Sequence, residues 1–127
     1  MEWEYACCAG TVTRFSCGSD DDLLKNYACF GVSVTTSGSG STCRCGELRP
    51  SLRGLFDMHG NVSEWCSDGY DDGASSRVIR GGGWGSSAWF CRAAIRGRFV
   101  PLLRSGSLGF RVAAVPPGGA SQEPANR

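Results

Sequence analysis

Glycine constrains this chain more than any other residue. It fills 19 of 127 positions, roughly twice the usual share. Glycine loses more freedom on folding than other residues, and it is used where a backbone turns left-handed or passes close to another group. A chain so supplied puts its length into turns and short elements. The glycines have no three-residue period, which excludes a collagen helix. Charged residues at 20% and hydrophobic residues at 41% exclude a disordered polar chain. The length suits one domain. No apolar run approaches the roughly 18 residues a membrane helix needs. The start, Met1-Glu2-Trp3-Glu4, lacks the basic and apolar pattern of a secretory signal. The expectation is a cytoplasmic protein with no membrane partner.

The eight cysteines are Cys7, Cys8, Cys17, Cys29, Cys43, Cys45, Cys66 and Cys91. Their even number suits disulfides, but a cytosolic chain keeps its thiols reduced. The cysteines are therefore expected as small buried hydrophobes and exposed thiols. Cys43-Arg44-Cys45 has one intervening residue, closer than the pairs of structural zinc sites.

The net charge of +1 hides an asymmetry. Residues 1–73 carry eleven of the twelve acids and five basic residues, a net −6. Residues 74–127 carry eight arginines and one acid, Glu123, a net +7. Such a basic half suits an anion or nucleic acid. The arginines are spread singly, with no lysine-rich run to follow a phosphate backbone. We therefore expect the halves to fold together and neutralise each other, with no nucleic-acid partner.

The spacing of Trp3, Ala6 and Cys7 predicts a helix over residues 1–9, stopped by Gly10. Asp20 to Asp22 suit a helix cap before Leu23-Leu24. Residues 31–42 read as a loop or a weak strand and loop. Val62, Glu64 and Cys66 alternate as in a strand. Arg77–Arg80 reads as a strand running into three glycines, and WFCRAAIR and LGFRVAAV read as two more. Beyond Pro116-Pro117 periodicity is lost, so residues 116–127 are expected as a disordered tail.

Catalytic patterns are sparse. No phosphate loop and no His-Glu-x-x-His occur. The lone histidine, His59, is expected as a hydrogen-bonded structural residue rather than a base. The run from Asp57 to Glu64 is the best metal candidate. Its two side-chain carboxylates, with the carbonyls of Gly60 and Val62, could converge on a hard cation, though they supply about half of calcium's usual six to eight oxygens. Gly81-Gly82-Gly83-Trp84 could cradle an anion. More often such glycines let a chain pass beneath an aromatic ring.

Five blocks in order carry a resemblance: EWEYACCAGT (2–11), GLFDMHGNVSEW (54–65), RVIRGGGW (77–84), CRAAIR (91–96) and LGFRVA (108–113). Together they resemble the formylglycine-generating enzyme family, also called the sulfatase-modifying factor domain. The resemblance covers residues 1–115 and matches the C-terminal part of the family domain. It implies an α+β fold, a loop-rich variant of the C-type lectin-like fold, here N-terminally truncated. Missing upstream strands imply uncovered sheet edges and core faces, and so marginal stability alone or association with itself or a partner.

The resemblance also implies chemistry. The family's enzymes use oxygen and a copper ion held by two cysteines to convert a cysteine in a Cys-x-Pro-x-Arg segment to formylglycine. The first cysteine follows a Gly-Gly-Ser-Tyr/Trp segment. Here the corresponding run is Gly81-Gly82-Gly83-Trp84-Gly85-Ser86, so Ser86 replaces it. Cys91 matches the second in an ungapped count, and is displaced from it if the following arginines are aligned instead. A serine hydroxyl is a poor Cu(I) ligand, so copper and formylglycine formation are not expected. The family's calcium ligands fall at Asp57, Gly60, Val62 and Glu64, and calcium is the expected cofactor. Ser63 stands where the family has tryptophan.

Three readings follow. In the first the chain is a catalytically incomplete binding or accessory module for a protein or peptide ligand. In the second it is a formylglycine-generating oxidase acting on a sulfatase cysteine. In the third it is a lectin-like ligand-binding protein diversified by a retroelement, with variable positions among Gly85, Ser86, Ser87, Trp89, Phe90, Ile95, Phe99, Leu102 and Leu103. A decaying gene fragment would also explain the missing upstream part.

Overall fold

The computed structural model describes residues 2–31, 41–73 and 75–114. The tail expected at 116–127 and most of the 31–42 loop lie outside these residues. Helix α1 spans Glu2–Cys8. Its acids sit in the first turn, where the helix dipole favours them. Ala9 and Gly10 then turn left-handed, with φ of 52° and 89°. Helix α2 is a single turn, Asp21–Leu24, capped by Asp20, whose carboxylate accepts from the Asp22 amide at 2.8 Å.

Four short strands form one mixed sheet. They are β1 (Ser63–Gly69), β2 (Arg77–Arg80), β3 (Gly97–Phe99) and β4 (Leu108–Gly109). The sheet order is β3-β2-β1-β4. Strands β1–β2 and β2–β3 are antiparallel, whereas β4 runs parallel to β1. The other described residues are mostly loop, as the glycine content predicts.

Two strand expectations need correction. WFCRAAIR contains no strand. Ala88–Cys91 forms a 3-10 helix instead, followed by an extended Arg92 and a turn closed by the Ile95 amide donating to the Arg92 carbonyl at 3.1 Å. The three-residue repeat of that helix puts Ala88 and Cys91 on one side, and both are buried in the core. In LGFRVAAV only Leu108–Gly109 joins the sheet. The sequence favours free thiols and leaves pairing open, and Cys29 and Cys43 do form a disulfide, with Cα atoms 6.1 Å apart.

The core has two parts. Phe15, Leu24, Ala28, Ala88 and Cys91 form one cluster. Cys7, Met58 and Ala93 form the other, against Trp3 and Leu55. His59 joins them. Its ring meets Phe15 edge-on, with centroids 5.6 Å apart, and Cys7 Sγ lies 3.7 Å from Nε2.

The two oppositely charged halves neutralise each other at named pairs. Glu4 pairs with Arg80 at 2.8 Å, Glu64 with Arg111 at 2.8 Å, and Asp71 with Arg98 at 3.2 Å. Each joins an acid of residues 1–73 to an arginine of residues 74–127. The first two involve the buried side chains of Arg80 and Glu64, which occupy partner positions on β2 and β1. No helix among the described residues is long and apolar enough to cross a membrane.

Candidate functional site

In the Asp57–Glu64 run, Met58 to Asn61 and Glu64 are buried. Asp57, Gly60 and Asn61 all have positive φ, at 56°, 77° and 61°, so the chain makes a tight left-handed path before entering β1. Gly60 lies against Cys29 in a parallel bridge, and the Asn61 amide donates to the Cys29 carbonyl at 2.7 Å. The Asn61 side chain clamps Cys43, accepting from its N–H at 3.2 Å and donating to its carbonyl at 3.3 Å. The disulfide and this clamp hold the segment around Cys43–Gly46 over the turn. There the Gly46 amide donates to Asp57 Oδ2 at 2.8 Å.

Asp57, Val62 and Glu64 line one cavity of about 400 Å³, together with Cys45, Phe56 and Arg111. The turn thus gathers three of the four expected calcium positions. Gly60 is held beside them, donating its N–H to the Gly81 carbonyl at 2.7 Å. Both Glu64 oxygens accept from Arg111, at 2.8 to 3.2 Å, and Oε2 also accepts from the Trp3 indole at 2.6 Å. Asp57 and Glu64 with Arg111 leave the cavity one net negative charge. Carboxylate oxygens are the donor type a hard cation takes, and those of Glu64 already accept from Arg111 and Trp3. No group of three or more His, Cys, Asp or Glu side chains among the described residues is placed to hold a metal ion, so any cation here must also use backbone carbonyls.

The glycine run after β2 forms a second cavity, of about 350 Å³, between the Gly81–Ser86 loop and β3. Ile79, Trp84, Phe90, Ile95 and Phe99 supply its apolar walls, with Ser63, Ser86 and Ser107 as polar points. Ser63 therefore faces this cleft, where the family resemblance places a tryptophan. The glycines act through close approach. A Cβ on Gly81 would lie 3.2 Å from the Trp3 ring, and one on Gly82 would lie 2.9 Å from Cys91 Sγ.

Ser86 lines the cleft, whereas Cys91 does not. The Ser86 hydroxyl accepts from the Gly83 amide at 3.0 Å and so closes the loop on itself. Cys91 is fully buried in the core and is absent from the cleft lining. Burial pushes its thiol up to about 12, which disfavours the free thiolate at neutral pH. Burial likewise raises the Cys7 thiol. His59 is structural, as expected. It is buried, its Nδ1 donates to the Cys91 carbonyl at 2.7 Å, and its Nε2 accepts from the Ser16 amide at 3.0 Å.

Sequence reasoning missed Arg111, Trp3 and the Cys29–Cys43 pair. Trp3 and Arg111 lie in the first and last resembling blocks, and the charge asymmetry asks for an arginine opposite Glu64. The even cysteine count was the only sign of the disulfide.

Residues 1–115 match the model of the sulfatase-modifying factor enzyme 1-like domain. The serine/threonine-protein kinase pkn1 of Chlamydia caviae is 37% identical over 88% of this chain and 20% of its own length. The formylglycine-generating enzyme of Streptomyces coelicolor is 30% identical over 88% of this chain and 44% of its own. The structure of Treponema denticola variable protein 1 superposes with a TM-score of 0.77 at 35% identity, covering 86% of this chain and 43% of that one. The chain thus spans less than half the length of each of these relatives. The match over nearly the whole described chain, on this loop-rich mixed sheet, places it in the family of sulfatase-modifying factor enzyme 1-like domains.

Proposed function

We propose that this chain is a catalytically incomplete, lectin-like binding module whose ligand, a protein or peptide, occupies the Gly81–Ser86 cleft. One observation carries the reading: the cleft has no cysteine in its lining. Ser86 stands at the position of the first expected thiol, and Cys91 lies in the core. In the cleft lining, Phe90 is 57% exposed and Phe99 is 43% exposed. Rigid aromatic surface of this kind anchors partners. Incubation with copper, oxygen and a Cys-x-Pro-x-Arg peptide is expected to yield no aldehyde by mass spectrometry. An aldehyde product would restore the oxidase reading.

The likeness to a protein named variable supports a related reading, in which exposed side chains such as Trp89, Phe90, Phe99, Leu102 and Leu103 differ between copies of the module. A template repeat and a reverse transcriptase gene beside the coding sequence would carry it.

Calcium is the second part of the proposal. Asp57 and Glu64 side chains with the carbonyls of Gly60 and Val62 would hold the ion. Bound there, it would brace the left-handed turn and shift the Arg111 contact to Glu64. Calorimetry is expected to show calcium heat with the wild-type chain and none with Glu64→Gln or Asp57→Asn. Equal heats in all three would remove the assignment.

A further inference from the structure

We propose that Cys45 and the Cys29–Cys43 disulfide form a thiol–disulfide exchange centre, through which a solution thiol unlocks the bridge that holds residues 43–46 on the Asp57 turn. None of the three cysteines lines the Gly81–Ser86 cleft, and the exchange needs no ion in the Asp57 cavity.

The three sulfurs differ in access. Cys29 is 3% exposed, Cys43 is half-buried and Cys45 is exposed. Of the six free cysteines, Cys45 is the single exposed one. Burial raises the thiols of Cys7, Cys8, Cys17, Cys66 and Cys91, which disfavours their thiolates. A solution thiol therefore meets the bridge poorly on its Cys29 side and meets Cys45 freely.

Cys45 also has the reach. It stands two residues from Cys43, a span of at most about 7 Å, within the range a disulfide bridges. The chain bends at this point. The Glu47 amide donates to the Arg44 carbonyl at 3.4 Å, and Gly46 has a φ of 73°. So short a tether keeps the Cys45 thiol beside Cys43 at an effective concentration of about millimolar or more.

In the exchange the Cys45 thiolate attacks Cys43 Sγ. The Cys43–Cys45 bond forms and the Cys29–Cys43 bond breaks. The electron pair leaves on Cys29, which takes up the proton that Cys45 gave up. This step consumes no oxidant or reductant. The Cys29 thiol can reverse it, and the resting pair is Cys29–Cys43. The new pair includes an exposed sulfur, and exposed disulfides are the labile ones. Two molecules of a solution thiol then reduce it. The first forms a mixed disulfide with Cys45 and releases Cys43 as a thiol. The second displaces Cys45 as a thiol and leaves as the symmetric disulfide.

Opening the bridge leaves the segment to hydrogen bonds: those of Cys43 with the Asn61 side chain, at 3.2 and 3.3 Å, and that of the Gly46 amide with Asp57, at 2.8 Å. None of these is fully buried, so the segment lifts more readily. Cys45 lines the same cavity as Asp57 and Glu64. The thiol state thus sets how firmly that cavity is closed.

The test incubates the folded, oxidised chain with reduced glutathione at about pH 8, near the ordinary thiol pKa. Samples are quenched in acid, alkylated and mapped by peptide mass spectrometry. The wild type is expected to lose the Cys29–Cys43 pair at least about tenfold faster than Cys45→Ser. Wild-type samples quenched midway are expected to contain the Cys43–Cys45 pair. Alkylating Cys45 in the folded wild type beforehand is expected to slow the loss equally, without any substitution. Cys66→Ser, which removes a half-buried thiol of β1, is expected to keep the wild-type rate. The amides of Cys43 and Gly46 are expected to exchange with deuterium faster in the reduced chain. Equal rates in wild type and Cys45→Ser, equal slowing in Cys66→Ser, no Cys43–Cys45 pair, or unchanged exchange at both amides would each overturn the proposal.

Discussion

Alanine at Gly60 is expected to destabilise the chain by about 4 kcal/mol or more, a loss of the size reserved for clashes that the fold cannot relieve. The added Cβ would sit 2.2 Å from the Cys29 carbonyl oxygen and 2.8 Å from its carbon. Both are backbone atoms, so no side chain can swing aside. Cys29 is in addition tied to Cys43 by the disulfide. Moving the two segments apart would break the Asn61 amide bond to the Cys29 carbonyl, 2.7 Å long, and strain the Gly60 amide bond to Gly81. Each is worth about 0.5–1.5 kcal/mol net, and more if its partners stay buried and unpaired. The left-handed φ of 77° costs a non-glycine residue roughly 1–2 kcal/mol further. Gly10 gives the control. Its φ is also positive, at 89°, but nothing lies within 4 Å of its Cβ position, so Gly10→Ala carries the backbone cost alone, about 1 kcal/mol. Thermal melts followed by circular dichroism compare the two. A Gly60→Ala midpoint equal to that of Gly10→Ala would show that the Cys29 and Gly60 backbones do not approach so closely.

That approach illustrates what a single sequence does and does not disclose. Helix α1 was legible because Trp3, Ala6 and Cys7 repeat at helical spacing and Gly10 can adopt the terminating conformation. Strand β2 was legible because Val78 and Ile79 are β-branched and glycines follow. WFCRAAIR was misread because a short apolar run lacks a decisive period. Its structure is set by where Ala88 and Cys91 find a core, which is a tertiary fact. The meeting of Gly60 with Cys29 is likewise long-range, and so is the disulfide that reinforces it.

The candidate sites divide in the same way. Asp57, Val62 and Glu64 are close in sequence, and they do line one cavity. The side chains that set the charge around Glu64 come from positions 3 and 111. No local pattern connects these, although the charge asymmetry of the two halves required partners of that kind. At the cleft, Ser86 was readable as a substitution of the expected cysteine. That Cys91 turns into the core instead of the cleft follows from the 3-10 turn, and it removes the second thiol as well.

His59 provides the other large effect. His59→Ala is expected to cost about 3–5 kcal/mol, because a filled aromatic-sized site empties and two buried backbone groups lose their partner. Those groups are the Ser16 amide and the Cys91 carbonyl. The carbonyl can only accept, so Nδ1 carries the proton and Nε2 offers its lone pair to the Ser16 amide. His59→Gln can keep one donor and one acceptor there, and is expected to recover part of the loss. Acid acts on the same geometry. Burial holds the His59 pKa below its ordinary 6.5, so between the two values the unfolded chain binds more protons than the folded one. The contribution is therefore complete above pH 6.5 and is lost as pH falls from there through the folded value. Denaturant midpoints against pH, for the wild type and His59→Gln, separate this from carboxylate titration. The wild-type midpoint is expected to fall with the first acidification below 6.5 while the glutamine variant stays level. Parallel curves would show that the imidazole is not held neutral between Ser16 and Cys91.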